Sequence, residues 1–161
     1  MTATAFLGLI LIAGSNVPPA DELCGRLEAF ERQATLQNDR VPHWFEVYWA
    51  IDPGAIFSVG CKHQNDLAAK EICSWLPQHM SMEFAGLLPS RISKCHGLNM
   101  GRFAATKFPH TTVKFRSRLR NRLVLQTGET ADGVPWMRLA VFPAGPKVPV
   151  RSLPKPTKYT E

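Results

Sequence analysis

The chain has 161 residues, 45% hydrophobic and 20% charged, which suits one globular domain and excludes a disordered polyelectrolyte. Its net charge of +6 is unevenly held: residues 1–100 carry 7 Lys+Arg against 10 Asp+Glu, and residues 101–161 carry 12 against 3. A basic half of this kind points to an anionic polymer, an anionic lipid or an acidic protein as partner.

Ala5 to Ala13 (AFLGLILIA) is a continuous apolar run, too short for the roughly 20 residues that span a bilayer. It suits the apolar region of a secretory signal over residues 1–20. Small residues at Ala13, Ser15 and Ala20 offer cleavage near Ser15 or Ala20. Met1 to Thr4 contain no Lys or Arg. The reading is a periplasmic or secreted protein whose mature chain has no transmembrane span. It comprises one domain over 21–142 and a flexible Pro/Lys-rich tail over 143–161.

Asp21 to Asn38 reads as a helix, with Leu23, Leu27, Phe30 and Ala34 on one face. His43 to Ile51 reads as a strand with an apolar face of Phe45, Val47, Trp49 and Ile51. Its other face carries Trp44, Glu46 and Tyr48. Trp44 and Tyr48 on that face either stack a ligand or lie in core beneath a helix, and the second is expected. Asp52-Pro53-Gly54 is a turn, and Ala55 to Cys61 returns as the second arm of a hairpin. Asn65 to Leu76 is a second helix that Pro77 should end. Pro89 splits Met82 to Cys95 into two short extended pieces, and His96 to His110 is a loop. Thr111 to Thr127 alternates apolar and cationic residues with period 2, as one half-buried strand does. Val134 to Phe142 is the last strand, and Pro135 argues for a sheet edge. The expected fold is α+β: an antiparallel sheet with two helices packed on one face, held by two disulfides.

The four cysteines, Cys24, Cys61, Cys73 and Cys95, form those disulfides in an exported chain. Pairing like elements with like gives Cys24–Cys73 and Cys61–Cys95. Zinc would have to use Cys61-x-His63, Cys73…His79 and Cys95-His96, and no Cys knuckle is present, so no metal or other cofactor is expected.

The candidate site is the cationic face of the 111–127 strand. Lys114, Arg116, Arg118, Arg120 and Arg122 form an anion-binding row about 26 Å long at ~3.3 Å per residue, and arginine suits bidentate phosphate and carboxylate contacts. Glu28 and Glu31 on the first helix are the counter-charges that could neutralise it. No catalytic motif stands out. His43, His63, His79, His96 and His110 are scattered, and His79 with Glu83 is one of many i,i+4 pairs that chance supplies. The leading reading is an exported, disulfide-stabilised binding module of unknown ligand. The alternatives are a small exported hydrolase-like enzyme using histidines, and a cytosolic nucleic-acid-binding domain if the N-terminus is not a signal.

Overall fold

In the computed structural model the described residues are 19–37, 41–52, 55–80, 82–100, 108 and 110–143. The expected signal over 1–20 and tail over 143–161 lie outside them, apart from residues 19, 20 and 143. Helix α1 (Pro19–Leu36) leads into β1 (His43–Asp52) and β2 (Ala55–Lys62), followed by α2 (Leu67–His79). A 3-10 turn (Met82–Leu87) runs into α3 (Leu88–Cys95), then come β3 (Thr111–Arg116), β4 (Arg122–Glu129) and β5 (Pro135–Phe142). The strands make one antiparallel sheet in the order β2-β1-β5-β4-β3. The fold is α+β as expected, with three α-helices rather than two.

The main core lies between the helices and one face of the sheet. Leu23, Leu27, Phe30 and Ala34 of α1 are buried, as their spacing requires. They meet Phe45, Val47 and Trp49 of β1, Leu123 and Leu125 of β4, and Met137, Leu139 and Val141 of β5. Asp66 caps α2, accepting from Ala68 N at 2.9 Å. It also accepts from Trp44 N at 3.2 Å and His43 Nδ1 at 3.1 Å, tying the cap to the start of β1.

Four sequence expectations are corrected. The stretch from Met82 to Cys95 is helical, not extended, because Pro89 falls in the first turn of α3, where its missing N–H is not needed. Pro77 lies inside α2, which continues to His79. β5 is the central strand, and Pro135 is its first residue, paired with Glu129 at the end of the ladder. Thr111 to Thr127 is a hairpin, β3 and β4, rather than one strand.

The disulfides are also paired differently: Cys24–Cys95 and Cys61–Cys73. Cys95 closes a helix, so it meets Cys24 on the helix packed beside it. Cys61 at the end of β2 meets Cys73 on the helix that follows. No described cysteine is free. Such a domain is suited to an oxidising compartment. No described helix is long and apolar enough to cross a membrane.

The sheet's other face carries a smaller cluster of Trp44, Val124 and Ala140 with Phe142 against it. Trp44 is buried, as expected, but on the face away from the main core. Tyr48, half-buried, lies over Gly60, where a Cβ would come within 2.1 Å of its ring. Glu46 and Arg138 face each other across β1 and β5 on this side, joined at 2.6 Å and buried.

Candidate functional site

The five cations of the candidate row are exposed, and the hairpin gathers them rather than spreading them along a strand. Lys114 and Arg116 stand on β3, the edge strand, and Arg116 is in register with Arg122 on β4. Arg118 and Arg120 occupy the turn between. The turn is closed by Ser117 N to Asn121 O and Arg120 N to Ser117 O, each 3.0 Å. Arg120 takes a left-handed backbone, φ +64°, which an extended strand cannot hold. The guanidinium of Arg122 lies 4.4 Å from the centre of the Phe142 ring, leaving its charge outward.

No ion pair joins any of the five to another described residue. The helix acids proposed as counter-charges go elsewhere. Glu28 pairs with Arg32 on α1, and Glu31 is turned inward, 2% exposed. Like charges left together with no acid between them repel, and this repulsion is relieved by a multivalent anion.

The turn is fixed to α1 from beneath. Asn121, 1% exposed, donates from Nδ2 to Thr35 Oγ1 at 3.0 Å. Thr35 in turn donates to the Glu31 carbonyl at 2.8 Å. Glu31, Ser117 and Asn121, with His96 and Phe115, form a buried polar cluster under the arginines. Burial raises the Glu31 carboxyl above its ordinary range, with Ser117 and Asn121 opposing and Glu28 adding to the rise. Ser117 Oγ and Glu31 Oε2 nevertheless make no hydrogen bond of good geometry. Burial also lowers His96, with the Arg118 charge acting in the same direction.

The sequence missed this cluster, although it held a signal. Glu31 follows Leu27 by four residues and precedes Ala34 by three, at the margin of the apolar stripe.

Of the remaining histidines, His63 holds a buried Nδ1 with no hydrogen-bond partner, and His43, His79 and His110 make local contacts. His43 binds Asp66, whose carboxyl is lowered because hydrogen bonds from His43 and from the Ala68 and Trp44 amides outweigh the effect of burial. His79 Nδ1 donates to Trp75 O at 2.9 Å, with the two rings stacked, and the Glu83 side chain lies outside the described residues. His110 sits over Gly128 beside Trp136. The disulfides leave no thiolate for zinc, and no three His, Cys, Asp or Glu converge among the described residues.

Comparison with protein-family models, curated proteins and solved structures gives no match.

Proposed function

We propose that the chain is a secreted or periplasmic binding module that engages an anionic partner through the β3–β4 hairpin. Lys114, Arg116, Arg118, Arg120 and Arg122 are its contacts. The observation that carries this reading is five exposed cations on one hairpin with no ion pair to another described residue. Arginine forks bind phosphate, sulfate and carboxylate oxygens in pairs. The same chemistry would serve nucleic-acid phosphates, but two disulfides favour an exported chain over a cytosolic one.

The test is retention on an immobilised polyanion as salt is raised. Five contacts bound the affinity loss to a few hundredfold between about 50 and about 200 mM salt. Charge reversal at Arg118 and Arg120 (Arg→Glu at both) should abolish retention while leaving the unfolding transition in place. Retention that ignores both salt and these substitutions would exclude the hairpin as the contact.

A further inference from the structure

The cationic hairpin shares its end of the molecule with the exposed large aliphatic side chains. His43 at the start of β1 pairs with Val141 near the end of β5, and Val141 pairs with Leu123 at the start of β4. One end of the sheet therefore carries the start of β1, the finish of β5 and the β3–β4 turn. Asn121 in that turn binds Thr35, which brings the C-terminus of α1 to the same end. Asp66 binds His43, which brings the N-terminus of α2 there as well. The large hydrophobic residues exposed among those described are Leu36, Val41 and Leu67, at 81%, 44% and 71%. Leu36 ends α1, Val41 lies two residues before β1, and Leu67 begins α2. All three lie at the hairpin end, Leu36 by the β3–β4 turn and Val41 and Leu67 by the start of β1.

The exposed charge at the hairpin itself is cationic. Of the acids at this end, Asp66 and Glu31 are turned inward with 13% and 3% of their side chains exposed, and Glu71, one turn along α2 from Leu67, is exposed next to the exposed Lys70. Glu129 and Asp132 lie at the opposite end, at and just beyond the finish of β4. The strands thus run from an acidic end to an end that is cationic and apolar together.

We infer that this end docks on the surface of an anionic phospholipid bilayer. The arginines contact lipid phosphates, and Leu36, Val41 and Leu67 enter the boundary between headgroups and acyl chains. The inference rests on the hairpin being an anion-binding surface and names the partner. A soluble polyanion would use the arginines but has no apolar phase to receive three separated aliphatic side chains. A lipid surface uses both, since interfacial binding combines buried apolar area with attraction to anionic headgroups. An acidic protein would need apolar pockets spaced to match all three, whereas a bilayer accepts them at any spacing in one plane.

The experiment is co-sedimentation of the full chain with phosphatidylcholine vesicles, plain or carrying about one third phosphatidylglycerol. Retention on soluble polyphosphate is measured alongside. The variants are Leu36→Gln with Leu67→Gln, at exposed positions where folding is little affected, and Arg118→Glu with Arg120→Glu. The wild type should bind the anionic vesicles and not the neutral ones. The leucine pair should bind those vesicles at least about tenfold more weakly while keeping polyphosphate retention. The arginine pair should lose both. A leucine pair that sediments as the wild type does overturns the membrane inference and leaves the anion-binding hairpin standing. Wild-type binding to polyphosphate without vesicles does the same. An arginine pair that keeps both activities, or a wild type that shows neither, overturns the hairpin reading itself.

Discussion

Glu31 on α1 and His96 just after α3 approach to 3.6 Å between Oε1 and Nδ1, with 3% and 6% of their side chains exposed, a contact that is an ion pair only while His96 is protonated. The separation is too long for a hydrogen bond. Burial pushes both groups toward neutrality, the acid upward and the histidine downward. Desolvation disfavours the charged form of each, and His96 Nε2 and Glu31 Oε2 are left without hydrogen-bond partners. The cluster costs stability near neutral pH, directly beneath the proposed contact surface.

The pH dependence follows from those directions. Glu31 binds its proton more tightly in the folded state, so its contribution favours folding below its ordinary pKa of 4.5 and is lost as pH rises through the raised value. His96 is the opposite: its contribution is complete above its ordinary 6.5 and is lost as pH falls from there through the lowered value. Glu31→Gln removes the acid's share while keeping its shape. The variant should unfold at higher urea than the wild type at about pH 8, and the gap should narrow toward pH 4.5. A gap that is the same at both pH values would mean that the carboxyl does not titrate differently on folding.

The pair of Glu46 and Arg138 is buried too but is satisfied. Arg138 donates to Glu46 Oε2 from Nε at 2.8 Å and from Nη2 at 2.6 Å, and its guanidinium lies 4.6 Å from the Trp44 ring. Glu46→Ala would leave a buried guanidinium without its carboxylate and should cost about 3–5 kcal/mol. Replacing both, Glu46→Leu with Arg138→Met, should recover most of that loss, because two apolar side chains of similar volume need no compensating charge. Arg138→Lys should behave like a deletion, since an ammonium cannot fork onto a carboxylate and stack on indole together. Chemical denaturation of the three variants gives the order. A double variant no better than Glu46→Ala would show that the ion pair itself stabilises the sheet.

The parts of the fold legible in the sequence are those whose period matches one element. β1 has alternating Phe45, Val47 and Trp49, α1 has Leu23, Leu27, Phe30 and Ala34, and in each the residues the period selects are buried. The hairpin hid because its period of two passes through the turn unbroken. Ser117, Leu119 and Asn121 sit between the arginines as strand residues would, and the left-handed position falls on Arg120, where no glycine marks it. Misreading Met82 to Cys95 as extended also misled the cysteine pairing, since Cys95 closes a helix. The five cations were identifiable from the sequence, but their convergence was not, because it depends on that turn. Leu36, Val41 and Leu67 gave no signal at all: only the topology brings three residues from separate segments to one end.

The two disulfides should differ in value. Cys24–Cys95 closes a separation of 71 residues and Cys61–Cys73 one of 12. The chain-entropy argument gives about 4 kcal/mol for the longer loop and about 3 kcal/mol for the shorter. Serine pairs should therefore lower the unfolding midpoint more for Cys24/Cys95 than for Cys61/Cys73. Cys61/Cys73 should also free α2 from β2 locally, seen as faster amide exchange in α2 than in α1. A reversed order would place most of the stabilisation in the folded state, at the junction of β2 and α2, rather than in the unfolded chain.

Arg120 couples the stability of the turn to its proposed use. A left-handed backbone costs a residue with a Cβ about 1–2 kcal/mol, and glycine adopts it freely at the price of more entropy in the unfolded chain. Arg120→Gly should therefore stabilise the protein by about 0.5–1 kcal/mol while weakening retention on a polyanion through loss of one contact. Arg120→Asn, which tolerates the same backbone with no charge, should weaken retention equally and fall between wild type and Arg120→Gly in stability. Thermal unfolding and salt elution on the three proteins separate the two effects. Higher stability with weaker binding would identify a strained residue retained for its side chain. Lower stability for Arg120→Gly would mean that the Arg120 side chain itself holds the turn, and the strain argument would fail.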